Sequence, residues 1–183
     1  MTKWAPVSAA QALFWKGQKL TPTAPLYNMA WRFDLRFALD PERFRKAFLD
    51  IVSTSDAMRA VFSEVDGQPV QKLGAPVSCP NFLDLSNEND PQGVLAAKIA
   101  GWVSEPFDLA SNNYRTELVR LSEGHWVWFL NQHHIACDAQ SGAVMARTVS
   151  ERYAELGPQP NANAVSQPSY FDAVARFTKH ASG

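Results

Sequence analysis

A chain of 183 residues, 46% hydrophobic and 19% charged, is long enough to bury a core of its own, and its composition is that of one globular unit. Its 17 Lys and Arg against 18 Asp and Glu leave a net charge of −1, without the basic excess of a nucleic-acid-binding surface. No apolar run approaches the roughly 20 residues of a membrane span, no signal-peptide pattern opens the chain, and 2 cysteines make no disulfide framework, so the expectation is a cytoplasmic protein with neither a nucleic-acid nor a membrane partner.

Ser8 can cap a first helix running to about Lys19, with Leu13 and Phe14 on its inner side and Gln18 a further inner candidate. Residues 21–25 carry two prolines and form a loop; 27–37 alternate imperfectly and predict a strand. Asp40-Pro41-Glu42 is a helix start, Asp as N-cap and Pro in the first turn, with Phe44, Phe48, Ile51 and Val52 on one face. The cluster Arg43, Arg45 and Lys46 falls on this helix as a solvated face. Strands over 58–65 and 69–73 flank Asp66-Gly67, a hairpin turn signal. The stretch 75–89 is irregular. Pro91 starts a helix to about Ser104 with Val94, Leu95, Ile99 and Trp102 inward.

A second hairpin joins 114–121 to 125–132 across Ser122-Glu123-Gly124, and its Trp126 and Trp128, two apart, face one side and the core. A helix with apolar residues at Val144, Met145, Val149, Tyr153 and Leu156 ends at Gly157-Pro158. Residues 157–168 are linker-like, and a short helix starts near Ser169. These elements predict an α/β (α+β) two-layer sandwich with a mixed, mainly antiparallel sheet.

The densest chemistry lies in Asn131-Gln132-His133-His134-Ile135-Ala136-Cys137-Asp138, where the apolar strand meets this helix. Asp138 stands where an N-cap is expected. Adjacent side chains on extended backbone point to opposite faces, so one histidine can be satisfied in the core while the other reaches a pocket. Histidine is the natural general base near neutral pH. Metal binding is not expected, because the two rings diverge and no further histidine or cysteine cluster completes a tetrahedral set. Cys137 has no motif that orients a base onto it, so a small buried thiol is expected. Ser141-Gly142 lacks the Gly-x-Ser-x-Gly context of a serine hydrolase, and no phosphate-binding glycine loop is present.

His133-His134-x-x-x-Asp138 resembles the active-site motif of condensation domains of nonribosomal peptide synthetases and of their chloramphenicol-acetyltransferase-like acyltransferase relatives. Further stretches follow the same order. Residues 7–15, Val-Ser-Ala-Ala-Gln-Ala-Leu-Phe-Trp, are similar to the family's Ser-x-Ala-Gln-x-x-x-Trp helix, and residues 22–28 to its Pro-to-Tyr-Asn loop. Met58-Arg59-Ala60-Val61-Phe62 resembles its Leu-Arg-Thr-x-Phe strand, Pro106-Phe107-Asp108-Leu109 its Pro-Phe-Asp-Leu segment, and residues 168–173 the end of its first lobe. The chain departs at Ala139, where the family has glycine, and at Thr54-Ser55-Asp56, where it commonly has Arg-His-Glu.

The resemblance implies the N-terminal lobe of a condensation domain over residues 1–183, with a C-terminal lobe of similar size missing. It implies amide-bond formation between an acyl or peptidyl thioester and an aminoacyl thioester, presented on 4'-phosphopantetheine by carrier proteins, with adjacent synthetase domains as partners and no cofactor held by the lobe itself. His134 is the implied catalytic residue and His133 a structural one; Ala139 lies along the implied substrate channel. Two readings of Asp138 stand: a buried partner of Arg59, as the resemblance implies, or a plain N-cap. Two other functions stand as well: an ester- or amide-forming relative, and a non-catalytic domain that docks carrier proteins.

Overall fold

The computed structural model describes residues 3–74 and 79–157. The expected linker beyond Gly157 and the helix expected near Ser169 lie outside the described residues.

Strand β1 (Ala5–Pro6) leads into α1 (Ala9–Leu20), whose N-terminus is a reciprocal capping box. Ser8 Oγ accepts the Gln11 N–H at 3.2 Å, and Gln11 Oε1 accepts the Ser8 N–H at 2.8 Å, which satisfies two otherwise orphaned donors. The side of α1 that turns inward is partly polar: Gln11 and Gln18 are buried, whereas Leu13, expected inside, is 72% exposed. Positions 11, 14 and 18 follow the three- and four-residue spacing of one helical stripe, and position 13 falls off it.

Strand β2 (Asn28–Leu35) alternates half-buried Met29, Trp31, Phe33 and Leu35 with exposed Ala30, Arg32 and Asp34. Helix α2 (Pro41–Thr54) is capped as its sequence demands, Asp40 accepting the N–H groups of Glu42 and Arg43, and it buries Phe44, Ala47, Phe48 and Val52. A one-turn helix, α3 (Asp56–Arg59), capped by Ser55, occupies residues expected to open a strand. Strand β3 (Ala60–Val65) therefore starts two residues late. It pairs with β4 (Gln68–Leu73) through Asp66 and Gly67, at φ 51° and 73°, the positive pair of a tight hairpin turn. Strand β1 adds to the far edge of β4, giving a three-stranded sheet β1-β4-β3.

The four-stranded sheet has the order β2-β7-β6-β5. Strand β5 (Asn81–Asp84), in the stretch read as irregular, is parallel to β6 (Tyr114–Ser122), and α4 (Pro91–Ser104) is the crossover between them. Strand β7 (His125–His133) pairs antiparallel with both β6 and β2. The expected mixed, mainly antiparallel sheet is what forms. Helices lie on both of its faces, so α4 adds a further layer.

On one face Tyr114, Leu118, Trp126, Trp128 and Leu130 pack against α2 and against Met145 and Val149 of α5 (Ser141–Glu155). Val144, expected on this face, is 44% exposed. On the other face Val119, Leu121 and Val127 meet Leu95 of α4, with Val94, Ile99 and Trp102 partly buried beside it. Coverage on both faces is why β7 reads as a continuous apolar run rather than an alternation. A third cluster, Val7, Ala60, Phe62, Leu109, Ile135 and Ala136, joins the small sheet to the turn after β7. That turn carries the paired histidines.

Candidate active site

Strand β7 ends at His133, and His134 is the first residue of the turn beyond it. Asn113, fully buried, anchors the strand end. Its carbonyl accepts the His133 N–H at 2.8 Å, its Oδ1 accepts from the Gln132 side chain, and its own amide donates to the carbonyls of Ala57 and Ala60. The α3–β3 junction and the end of β7 are thereby held together.

His133 is 0% exposed. Its Nδ1 accepts the Ile135 N–H at 3.1 Å, which places the ring proton on Nε2, 3.3 Å from Gln18 Oε1. Burial first, and then the neighbouring His134, push its pKa down to about 4. This ring is neutral at physiological pH and belongs to the packed interior, against Tyr27 and Phe107.

The low pKa has a thermodynamic consequence. In the unfolded chain the same ring protonates near pH ~6.5. As pH falls the unfolded state takes the proton first, so stability from this group is complete above about pH 6.5, drains away down to pH 4, and is level below. The loss is expected to reach roughly 3 kcal/mol. Asp34, whose pKa Arg32 and then His125 lower, adds its own loss only at more acidic pH. Urea midpoints at pH 7, 5 and 4 should fall for the wild type, and a His133→Gln variant should lack the step between pH 7 and 5.

His134 is half-buried. Its backbone N–H donates to the Tyr27 carbonyl at 2.8 Å. Its Nδ1 lies 2.7 Å from the Cys137 carbonyl oxygen, which can only accept, so Nδ1 carries a proton and, in the neutral ring, Nε2 has the lone pair. Among the described residues no group hydrogen-bonds Nε2. The ring is stacked on Phe14, centroids 4.6 Å apart and planes 22° from parallel, and Tyr27 meets Phe14 edge-on. One helix stripe therefore covers the turn in reverse order: the Gln11 amide donates to the Ile135 carbonyl, Phe14 covers the His134 ring, and Gln18 meets His133. Gly17, between them, leaves room for Tyr27, whose hydroxyl a Cβ there would strike.

The structure does not bring Asp138 and Arg59 together. Asp138 is exposed, and its Oδ1 accepts from Gln140 N at 3.1 Å, Ser141 N at 3.0 Å and Ser141 Oγ at 2.8 Å. These bonds, the Ser141 hydroxyl first, hold its carboxyl below the usual range. Arg59 instead donates to the Ser53 carbonyl at 3.0 Å, near the C-terminus of α2. Each charge finds a helix end that complements it, which replaces the implied ion pair by two separate caps. The plain N-cap reading is corrected as well: Gln140 holds the N-cap position with no side-chain cap bond of its own, and Asp138 caps the helix end from two residues before that position. Such a cap contributes about 1 kcal/mol, against ~3–5 kcal/mol for breaking a buried ion pair.

Ala139 is exposed in the turn before α5. Among the described residues only Asp66 is a non-glycine with positive φ, so the backbone at Ala139 does not adopt a conformation that calls for glycine. Gly142, which the sequence reading passed over except to reject a hydrolase motif, packs its bare backbone against the Trp31 indole, where a Cβ would collide. Cys137 is largely buried, its Sγ 3.4 Å from the His133 carbonyl; burial pushes the thiol up to about 12. A thiolate nucleophile at neutral pH is excluded. Ser141 Oγ is already engaged, donating to Asp138 Oδ1 and accepting the Asp138 N–H. Among the described residues no group of three His, Cys, Asp or Glu is placed to hold a metal, and no helix is long and apolar enough to cross a membrane.

The sequence reading had missed Gln11, Tyr27 and Asn113 as parts of this site. The available signal was the polar pair Gln11 and Gln18 on a stripe that periodicity alone assigns to apolar residues.

The site thus sets an imidazole whose Nε2 meets no hydrogen-bond partner among the described residues beside a buried, neutral one, on a helix-flanked mixed sheet. The model of the condensation domain family matches residues 1–181, and the chain belongs to that family. Tyrocidine synthase 3 of Brevibacillus parabrevis is 31% identical over 85% of this chain and 2% of its own length. CymA of Salinispora arenicola, a probable non-canonical nonribosomal peptide synthetase, is 34% identical over 81% of this chain and 2% of its own. The isonitrile lipopeptide synthase of Mycobacterium tuberculosis is 34% identical over 81% and 6%. The crystal structure of the starter condensation domain of rhizomide synthetase RzmA superposes with a TM-score of 0.92 at 24% identity, over 99% of this chain and 46% of that one. The first condensation domain of the calcium-dependent antibiotic synthetase gives 0.90 at 20% identity, over 99% and 44%. These structures share the fold. The chain spans less than half of the solved domains and a few per cent of the synthetases.

Proposed function

We propose that this chain is the histidine-bearing lobe of a condensation domain that joins an acyl or peptidyl thioester to the amine of an aminoacyl thioester in a cytoplasmic nonribosomal peptide synthetase. Both substrates arrive on phosphopantetheine arms of carrier proteins, and the chemistry needs no cofactor in the lobe. The observation that carries this reading is the His134 ring, fixed by Cys137 and Phe14 with Nδ1 protonated and Nε2 free to accept.

The amine nitrogen attacks the thioester carbonyl carbon and a C–N bond forms. The proton shed by that nitrogen passes to His134 Nε2. Collapse of the tetrahedral adduct breaks the C–S bond, and the departing sulfur takes the proton back from the imidazolium. The ring ends as it began. Transfer is direct: Cys137 is held as a thiol and Ser141 is committed to the α5 cap, so neither supports an acyl-enzyme. Of the two departures that favour a non-catalytic reading, Ala139 and Thr54-Ser55-Asp56, the first carries no backbone strain.

His134 supplies proton handling; orientation of two tethered substrates needs walls on the opposite side of the ring, which we assign to the C-terminal lobe. In a carrier-thioester assay read by mass spectrometry, the chain alone is expected to give no amide above background, and joining the C-terminal lobe to restore it. Full turnover by the lone chain would overturn the two-lobe requirement. No amide from the joined protein with its own carriers would overturn the condensation reading itself.

A further inference from the structure

We propose that Gln18 is a positioning residue for His134, acting through His133. The inference rests on the reading of His134 as the proton acceptor and adds a residue to that site.

Gln18 is buried in the last turn of α1. Its side-chain amide uses both ends. Nε2 donates into the carbonyls of Thr21 at 3.1 Å, Pro22 at 3.3 Å and Ala24 at 3.2 Å. That orientation leaves Oε1 as the acceptor facing His133 Nε2. The loop after α1 runs directly to Tyr27, whose carbonyl receives the His134 N–H. On the other side, His133 Nδ1 holds the Ile135 N–H. Gln18 therefore ties the loop that grips His134 from before to the turn that grips it from behind.

The coupling works through proton placement. His133 Nδ1 can accept from Ile135 only if the ring proton is on Nε2, and a buried Nε2–H needs an acceptor. Gln18 Oε1 is that acceptor. Without it the other tautomer would point Nδ1–H at the Ile135 N–H, donor against donor, within two residues of the Cys137 carbonyl that orients His134. Among the described residues no charged group has this role, which suits a ring whose burial keeps it neutral.

Long-range 1H–15N spectra of the imidazoles in the full chain test this without turnover. The wild type should show His133 protonated on Nε2 and His134 on Nδ1. Gln18→Met, which keeps length and removes the acceptor together with the Nε2 donor, should mix the His133 tautomers, move the Ile135 amide resonance and blur the His134 tautomer, while the Trp126 and Trp128 indole signals stay in place. Gln18→Glu retains an acceptor and should keep His133 on Nε2, while its second oxygen, facing the Thr21, Pro22 and Ala24 carbonyls with no proton to donate, loosens the loop. In the joined two-lobe protein, Gln18→Met should lower kcat about tenfold with KM within about twofold, the pattern of a misplaced group, and Gln18→Glu, which restores the acceptor but not the bonds to the loop carbonyls, should recover part of the loss.

A wild-type spectrum with His133 protonated on Nδ1 overturns the proposal, and needs no variant to fold. So does a Gln18→Met protein that melts earlier with both ring tautomers unchanged. Failure of the condensation assay alone would leave the tautomer result standing, so the two readings fail separately.

Discussion

Replacing His134 by alanine in the complete domain is expected to lower kcat by about 10²–10⁴-fold, with carrier-protein affinity unchanged, because it removes an imidazole nitrogen that no group among the described residues hydrogen-bonds. The ring is not part of the packed core: it is half-buried, stacked on one face only by Phe14 among the described residues, and its loss leaves the capping box and the Asn113 anchor in place. The thermal midpoint should therefore move little. A companion His134→Gln change separates two kinds of help. Glutamine can present a polar group of similar reach, but it cannot cycle a proton. Equal loss in both variants, read from product formation under saturating carriers, supports proton transfer. Near-wild-type turnover in the glutamine variant would show that orientation alone suffices. Unchanged turnover in the alanine variant would remove the residue from the mechanism and leave a docking role.

Trp128→Ala is expected to destabilise the fold by about 3–5 kcal/mol, a large part of the roughly 5–15 kcal/mol that holds such a domain together. Trp128 is 2% exposed at the centre of the sheet. Its ring lies 4.9 Å from Phe33, 5.4 Å from Phe44 and 6.0 Å from Phe48, so β2 and α2 close on it at once. Its indole N–H donates to Thr116 Oγ1 at 2.9 Å, and that hydroxyl donates on to the Phe129 carbonyl. Alanine opens a cavity among three aromatic rings and leaves the Thr116 oxygen one donor short. Trp128→Phe should cost clearly less, because it keeps much of the ring contact. Chemical denaturation of the three proteins checks the order, and an alanine variant within 1 kcal/mol of the wild type (about the scale of one ordinary hydrogen bond) would refute the central placement of this residue.

The legible parts of the fold share a cause. Ser8, Asp40-Pro41 and Pro91 announce α1, α2 and α4 because a cap is satisfied within a few residues of itself. Asp66-Gly67 announces its hairpin because positive φ is a local demand. Strand β5 was illegible because its hydrogen bonds go to β6, more than thirty residues on, and nothing in its four residues records that partner. Leu13 and Val144 misled because an apolar residue on the surface of one lobe looks the same, in a string of letters, as one in the core.

The site divides along the same line. His133, His134 and their strand-to-turn position were visible in one short run, and alternation already assigned them different surroundings. Which protons the rings carry was not visible. That depends on Gln18 and Phe14, far away in the chain, and on a carbonyl at Cys137 that only a folded turn presents. The Arg59–Asp138 pairing failed for a related reason: two opposite charges suggested a partnership, and nearer helix ends claimed both.

From its own letters the chain determined its long helices and its hairpins, because caps, turns and periodicity are settled between near neighbours, and it showed its family through the resemblance of ordered motifs, the pair of histidines among them. Only the tertiary structure decided that one imidazole is buried and neutral while the next is oriented with a free nitrogen. Those states are chosen by groups that meet across as many as 115 positions of sequence, and a hydrogen bond takes its partner from space rather than from order along the chain.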